Sequence, residues 1–348
     1  MSFLGFGRTK ITYDMFDLER DADTARRYAK CENIYHKGQE LAWDGKDILR
    51  MLLKEHGGVH IEDEAKKEAL KRIFAIILWG ELAAWKISAQ LADRLEPLEA
   101  KMAATSQAMD EARHFYVMYD YLKELGYVPD RMDRAPQALL DLVLATENPA
   151  HKLLGMQLLI ETIALTIFQL VRELNVEPVL TELLKYYERD EARHVGLGMQ
   201  YLPELMKRMS KWEISRLFLF QAQLLVFAIW ENKVLEKDLT VLGIDPRDAI
   251  SKARDKQIVA LRAALATLGF DPKKDRNAVL AALSASNEFL FPTRETRGSL
   301  FRQAEAAWEV FNEIVEPPAD ALDVHNMHAI KTARGVVSKG GGERAFTQ

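Results

Sequence analysis

Apolar residues recur at three- and four-residue steps along most of the chain, and no stretch sustains the alternation of a half-buried strand, so the pattern predicts an all-α protein. From Glu62 to about Leu95 one stripe runs through Ile73, Ile76, Ile77, Glu81, Ala84, Trp85 and Ser88. A carboxylate, Glu81, stands inside that stripe. Pro97 marks a turn, and a second long helix follows from about Leu98 to Leu125, stopped by Gly126 with Pro129 just beyond. Residues 127–135 read as a crossover loop leading into a short helix from Pro136 to about Thr146. Asn148-Pro149 opens a third long helix that ends near Asn175, and a fourth runs from about Glu177 to Leu202, where Pro203 is expected to kink or end it.

Outside these four, residues 1–20 read as irregular, a first helix is expected from Asp21 to about Leu41, and a short amphipathic helix from Asp47 to about His56. Gly57-Gly58 stands in the position of a helix stop. Beyond Lys211 four further helices are expected, over 211–239, 246–268, 275–288 and 294–316, with a frayed tail around Gly340-Gly341-Gly342. The chain thus divides into an N-terminal helical extension (1–61), a four-helix bundle (62–206), C-terminal helices packing on the bundle or on a dimer partner (207–333) and a disordered tail (334–348).

An internal repeat gives the bundle its chemistry. Asp110-Glu111-Ala112-Arg113-His114 recurs as Asp190-Glu191-Ala192-Arg193-His194, 80 residues later. Each copy contains Glu-x-x-His, which places a carboxylate and an imidazole on one helix face, one turn apart. Thirty residues before each copy a lone glutamate, Glu81 or Glu161, lies in an apolar helical stretch, and these two are also 80 apart. A single Glu-x-x-His means little, because charged helices produce it often. Two copies at matched distances from two glutamates in apolar surroundings are different, since uncompensated carboxylates there are costly and metal coordination resolves the cost.

Glu, Glu-x-x-His, Glu and Glu-x-x-His from four helices is the ligand set of carboxylate-bridged dinuclear bundles. One metal is assigned mainly to Glu81, Glu111 and His114, the other to Glu161, Glu191 and His194. The pattern leaves open whether Glu161 or Glu191 joins Glu111 in bridging. Four carboxylates, two imidazoles and no thiolate suit two iron ions, with manganese or a mixed manganese and iron pair also compatible.

Composition narrows the setting. The 348 residues are 48% hydrophobic, ample for a buried core, and the net charge of −5 offers no basic excess for phosphates, which disfavours nucleic acid as a partner. A single cysteine, Cys31, excludes an intramolecular disulfide and suits a reducing cytoplasm. The first ten residues lack the ordered regions of a signal peptide. The apolar run Leu217 to Trp230 is interrupted by Gln221 and Gln223 and is too short to span a bilayer, so no transmembrane segment is expected. That run instead suggests a core helix or a homodimer interface.

Residues 62–206 resemble the ferritin-like superfamily of di-iron carboxylate proteins, and the Asp-Glu-x-Arg-His form resembles its oxygen-activating branch. That branch includes bacterial multicomponent monooxygenase hydroxylases and, more loosely, acyl carrier protein desaturases. The resemblance implies that Asp110 and Asp190 accept a hydrogen bond from the far nitrogen of a ligand histidine and that Arg113 and Arg193 pair with those aspartates. The tight spacing is closer to compact members such as quinone hydroxylases and aldehyde-deformylating oxygenases. In ribonucleotide reductase small subunits a radical tyrosine usually stands four residues after the first histidine. Here that position is Met118, although Tyr116, Tyr119 and Tyr187 are near in sequence.

Further residues carry two readings each. Gly196 and Gly198, inside a helix, either clear space for a substrate or allow close helix packing. Glu188 is either an extra carboxylate at the site or an arginine-paired glutamate. Thr162 and Thr166 either relay protons or bond their own helix. Trp79 and Trp85 either serve electron transfer or pack in the core. His36, His56, His60, His151, His325 and His328 fall outside the repeat.

The expectation is therefore an O2-activating di-iron oxidase or oxygenase acting on an organic substrate by hydroxylation, desaturation, N-oxygenation or deformylation, with a ferredoxin or flavin reductase as electron source. Its rivals are a ferroxidase or peroxide-scavenging iron-handling protein and a non-catalytic metal-stabilised binding scaffold.

Overall fold

The computed structural model describes residues 18–266, 268–269, 277–318 and 320–322. The first 17 residues, His325, His328 and the glycine-bearing tail lie outside the described residues, as do most of the residues between α10 and α11.

Helix α1 (Leu18–Glu40) leads to α2 (Gly45–His56), whose first turn is capped by Asp44 accepting from the Asp47 N–H. Gly57 ends α2 at φ 74°, a conformation that only a residue without Cβ adopts cheaply. Helices α3 (Glu64–Arg94) and α4 (Leu98–Glu124) form the first hairpin, and α5 (Arg134–Ala145) lies on the crossover. The second hairpin is α6 (Pro149–Leu174) and α7 (Pro178–Met206). Asn148 caps α6 with proline in its first turn, Asn175 closes it in the left-handed region at φ 47°, and Glu177 caps α7. Among the described residues there is no strand.

Two details depart from the pattern. Pro203 neither ends α7 nor falls beyond it: the helix continues to Met206 because Tyr201, Leu202 and Met206 are buried and anchor the last turn. Within α6, Leu153–Ile160 is a π-helical segment, with Glu161 directly after it. Such wide turns are not visible in an apolar run such as Leu-Leu-Gly-Met-Gln-Leu-Leu-Ile, where every face is hydrophobic.

The expected helix over 211–239 is two, α8 (Lys211–Val234) and α9 (Glu236–Leu242), followed by α10 (Pro246–Ala266), α11 (Ala278–Leu290) and α12 (Leu300–Asn312). Ser210 and Glu213 form a reciprocal capping box at the start of α8. Around the bundle, α1 and α2 cover α4 and α7, α9 packs on α3, α10 lies across α6 and α7, and α8 meets α5.

Three helices, Glu64–Arg94, Pro149–Leu174 and Lys211–Val234, are long and apolar enough by length and composition to cross a membrane, which corrects the expectation that none is. Two of them are α3 and α6, the core helices that carry Glu81 and Glu161. The third, α8, leaves Leu219, Val226 and Trp230 exposed.

The core is two apolar clusters with a polar layer between. One gathers Leu91, Leu95, Leu153, Leu158, Leu197 and Tyr201; the other gathers Phe74, Leu78, Met118, Phe168, Leu180 and Tyr187. Between them lies a set of buried charged side chains, which apolar packing alone does not account for.

Candidate metal centre

Every residue of the two repeated motifs that bears a carboxylate or imidazole is buried, as are Glu81 and Glu161. The four helices place them in two overlapping groups whose ligand atoms lie within 4.8 Å of one another: Glu81, Glu111, His114 and Glu191, and Glu111, Glu161, Glu191 and His194. Glu111 and Glu191 belong to both. Of the two glutamates left open by the sequence, Glu191 shares both groups with Glu111, while Glu161 belongs to one.

Both imidazoles are oriented alike. His114 turns Nδ1 inward, 3.4 Å from Glu81, 3.5 Å from Glu111 and 3.2 Å from Glu191, and His194 turns Nδ1 to Glu191 at 2.7 Å and Glu111 at 3.0 Å. Their Nε2 atoms point outward to aspartates. His114 Nε2 lies 3.2 Å from Asp190 and His194 Nε2 lies 3.4 Å from Asp110, so each aspartate serves the histidine of the other motif. Holding Nε2 as the donor leaves the Nδ1 lone pair free for a metal.

The arginines complete a closed network. Arg113 donates to Asp110 and, at 2.8 Å, to Asp190, while Arg193 reaches Asp110 at 2.9 Å and Asp190 at 2.8 Å. Two cations and two anions are thereby neutralised away from water, as a buried charge requires. Trp43, from the turn before α2, adds its indole N–H to Asp190 at 2.7 Å and lies under the Arg113 guanidinium, 4.8 Å from ring centroid to carbon.

Charge and burial compete at each group. Burial alone would raise both aspartates, but Arg193, Arg113 and the histidines hold Asp110 below the usual carboxylate range and Asp190 well below it. Burial raises Glu81 and Glu161 well above that range, reinforced by the charges of Glu191 and Glu111. Against burial, His194 and His114 hold Glu111 well below, and His194 helps hold Glu191 below. Both histidines are held well above their ordinary value by the surrounding carboxylates, although burial opposes it.

The site fits two cations on observations of its own. Glu111 Oε2 and His114 Nδ1 are buried with no hydrogen-bond partner among the described residues, and both face the shared interior. Four carboxylates converge there, and oxygen-rich sets with one imidazole per centre suit iron or manganese.

Several supporting residues had no signal in the repeat. Gln107 gives its amide to Glu111 at 3.1 Å and Glu161 at 2.9 Å, and Gln157 in the π segment donates to Gln107 at 3.1 Å. Tyr187 stacks on His114 with centroids 4.2 Å apart and donates to its backbone carbonyl at 2.7 Å. Gln107 and Tyr187 are themselves 80 residues apart, each one turn before a motif, so extending the repeat by a turn would have found both. Trp43 lies outside the repeat and leaves no such trace.

Other expectations resolve on packing. Glu188 is no fifth carboxylate of the site: it turns away to Arg172 Nε at 2.6 Å. Gly196 and Gly198 open no space toward the ligands. A Cβ on Gly198 would meet Leu158 at 2.7 Å and Gln157 at 2.9 Å, so this glycine lets α7 pass close to the π segment. Thr162 and Thr166 bond carbonyls of their own helix. Trp85 is 41% exposed and so is not a core residue.

The open side lies elsewhere. A cavity of about 60 Å³ reaches Glu81 and Glu161, walled by Ile76, Ile77, Leu140, Met156 and Ile160. A second, of about 90 Å³, lies against α10 and shares Ile76, Ile77, Ile163 and Glu231 with the first.

No family model matches the chain, and no curated protein matches it. Among solved structures it is similar to one described as "Protein 19 with aldehyde deformylating oxidase activity" from Synechococcus. The identity is 20% and the TM-score 0.52, over 60% of this chain and 93% of the other. At that identity the likeness is one of fold, and the fold is the ferritin-like helical bundle.

Proposed function

We propose that the protein is a non-haem di-iron oxidoreductase that activates O2 and acts on a small organic substrate. The observation that carries this reading is the pair of overlapping ligand groups sharing Glu111 and Glu191, with both histidines presenting Nδ1 inward. The oxidase activity described for the solved structure of similar fold supports it.

Glu81, Glu111, His114 and Glu191 would hold one ion, and Glu111, Glu161, Glu191 and His194 the other. Iron held by these residues would supply the redox chemistry toward O2 and the substrate. The chain's own residues do the rest. Asp190 and Asp110 keep the imidazoles oriented, Arg113 and Arg193 keep those aspartates ionised, and Gln107 fixes the carboxylates of Glu111 and Glu161. The flanking apolar clusters exclude water, and Glu81 and Glu161, whose carboxyls hold protons most readily, border the inner cavity.

That cavity favours an organic substrate over iron as cargo. An iron path needs carboxylates along its length, whereas this cavity carries one carboxylate besides the ligands, Glu231, and is otherwise walled by apolar side chains such as isoleucine, leucine and methionine. Electrons then come from a separate ferredoxin or flavin reductase, and the chain works as a cytoplasmic homodimer.

The test is anaerobic loading with ferrous iron followed by O2. A rapid visible absorption, with O2 consumption that rises when an organic substrate is added, is the expected result. Accumulation of ferric mineral would instead mark an iron-handling protein, and no reaction with O2 a binding scaffold.

A further inference from the structure

The two cavities meet at Glu231, on α8, which lines both. No other ionisable side chain lines the outer cavity, and the only others in the inner one are Glu81 and Glu161. Among the described residues no lysine, arginine or histidine lines either. Among the described residues the Glu231 carboxylate has no hydrogen-bond or ion-pair partner, and burial together with the charge of Asp133 pushes its pKa up to about 7. Asp133 is itself engaged by Arg72 at 2.9 Å, which leaves that cation committed elsewhere.

A second acceptor lies on the same side. Gln257, buried in the wall of the outer cavity, leaves Oε1 without a partner. The unmet acceptor of Gln257, buried beside apolar side chains, costs stability unless a ligand brings a donor. The outer cavity adds Asn232, Thr166 and Gln257 to Glu231, while between Glu231 and the ligands Glu81 and Glu161 the inner cavity is lined by apolar residues. Such a channel is hydrocarbon for most of its lining, with one negative group, Glu231, where its two parts meet.

We propose that this channel holds a primary aliphatic amine, its ammonium at Glu231 and its hydrocarbon chain extending inward to the Glu81 and Glu161 face. An ammonium brings three donors and no acceptor, which suits a carboxylate without a partner, and its charge answers that carboxylate. A fatty-acid carboxylate would meet Glu231 with no cation to offset the repulsion. The proposal rests on the oxidoreductase reading for its site and names the substrate class.

Metal-loaded full-length protein is titrated calorimetrically with n-octylamine, n-octanol and octanoate at about pH 8, where Glu231 is ionised and an alkylamine is protonated. The amine is expected to bind at least about tenfold more tightly than either of the others. In Glu231→Gln that preference is expected to fall to within about threefold, with metal content and helicity unchanged. Ala228→Leu, which narrows the outer cavity one turn from Glu231 while keeping the carboxylate, is expected to weaken all three ligands alike. Equal or tighter binding of octanol or octanoate, an amine preference that survives Glu231→Gln, binding unaffected by Ala228→Leu, or no binding of any of the three would overturn the proposal. Metal content and O2 consumption are measured in parallel. Their loss with the amine preference intact would sink the oxidoreductase reading alone.

Discussion

Trp43 and the six ligand residues carry the chemistry at the scale of single side chains. Removing a ligand leaves the opposing carboxylates uncompensated, so Glu111→Ala and His194→Ala are each expected to lose metal while circular dichroism shows the helices retained. Full metal occupancy in either variant would refute the ligand assignment. Trp43→Phe keeps the ring but removes the N–H that Asp190 accepts at 2.7 Å. Changes at such outlying partners typically cost about 10- to 100-fold in metal affinity or activity, and a loss of that size is expected here. An unchanged metal affinity would reduce Trp43 to packing.

Protonation belongs to the same scale. In the metal-free chain His114 and His194 are held well above 6.5, and Glu81 and Glu161 well above 4.5, so all four tend to hold protons. Incoming ions displace those protons. Metal affinity is therefore expected to rise with pH between about 6 and about 8, with proton release measurable by titration in buffers of different ionisation enthalpy. An affinity that is flat or falls over that range would contradict the charge pattern described.

The elements set those side chains in place, and here the sequence was informative unevenly. The four bundle helices, their order and their register were legible because Glu81, Glu161 and the two motifs repeat at one spacing, and a repeat survives errors at helix ends. The pairing of Asp110 with His194 and of Asp190 with His114 was not, since it depends on how two distant helices face each other. The π segment left no mark in a uniformly apolar run, yet it brings Gln157 to Gln107 and packs against Gly198. That contact gives a test: Gly198→Ala places a methyl 2.7 Å from Leu158, and overpacking of this kind costs about 1–3 kcal/mol. Denaturant unfolding should show a loss in that range. An unchanged midpoint would mean that α7 and α6 tolerate greater separation. Trp43 was beyond reach for a plainer reason, because a lone tryptophan beside a turn reads as core.

For the molecule as a whole, the charged layer between two apolar clusters makes the bundle's stability depend on its ions. Metal that binds only the folded chain stabilises it by about 2.7 kcal/mol at a hundredfold excess over Kd, so chelation is expected to lower the thermal midpoint. The exposed Leu219, Val226 and Trp230 of α8 belong to this scale too, and sedimentation at micromolar concentration is expected to give a dimer. A monomer there would leave that face without its proposed occupant. The central claim concerns neither stability nor assembly but two ions in one shared set of ligands. The most direct measurement is anomalous diffraction from crystals of iron-loaded protein, collected at the iron edge. Two peaks are expected, one enclosed by Glu81, Glu111, His114 and Glu191, the other by Glu111, Glu161, Glu191 and His194. A single peak, or peaks away from Glu111 and Glu191, would contradict the account.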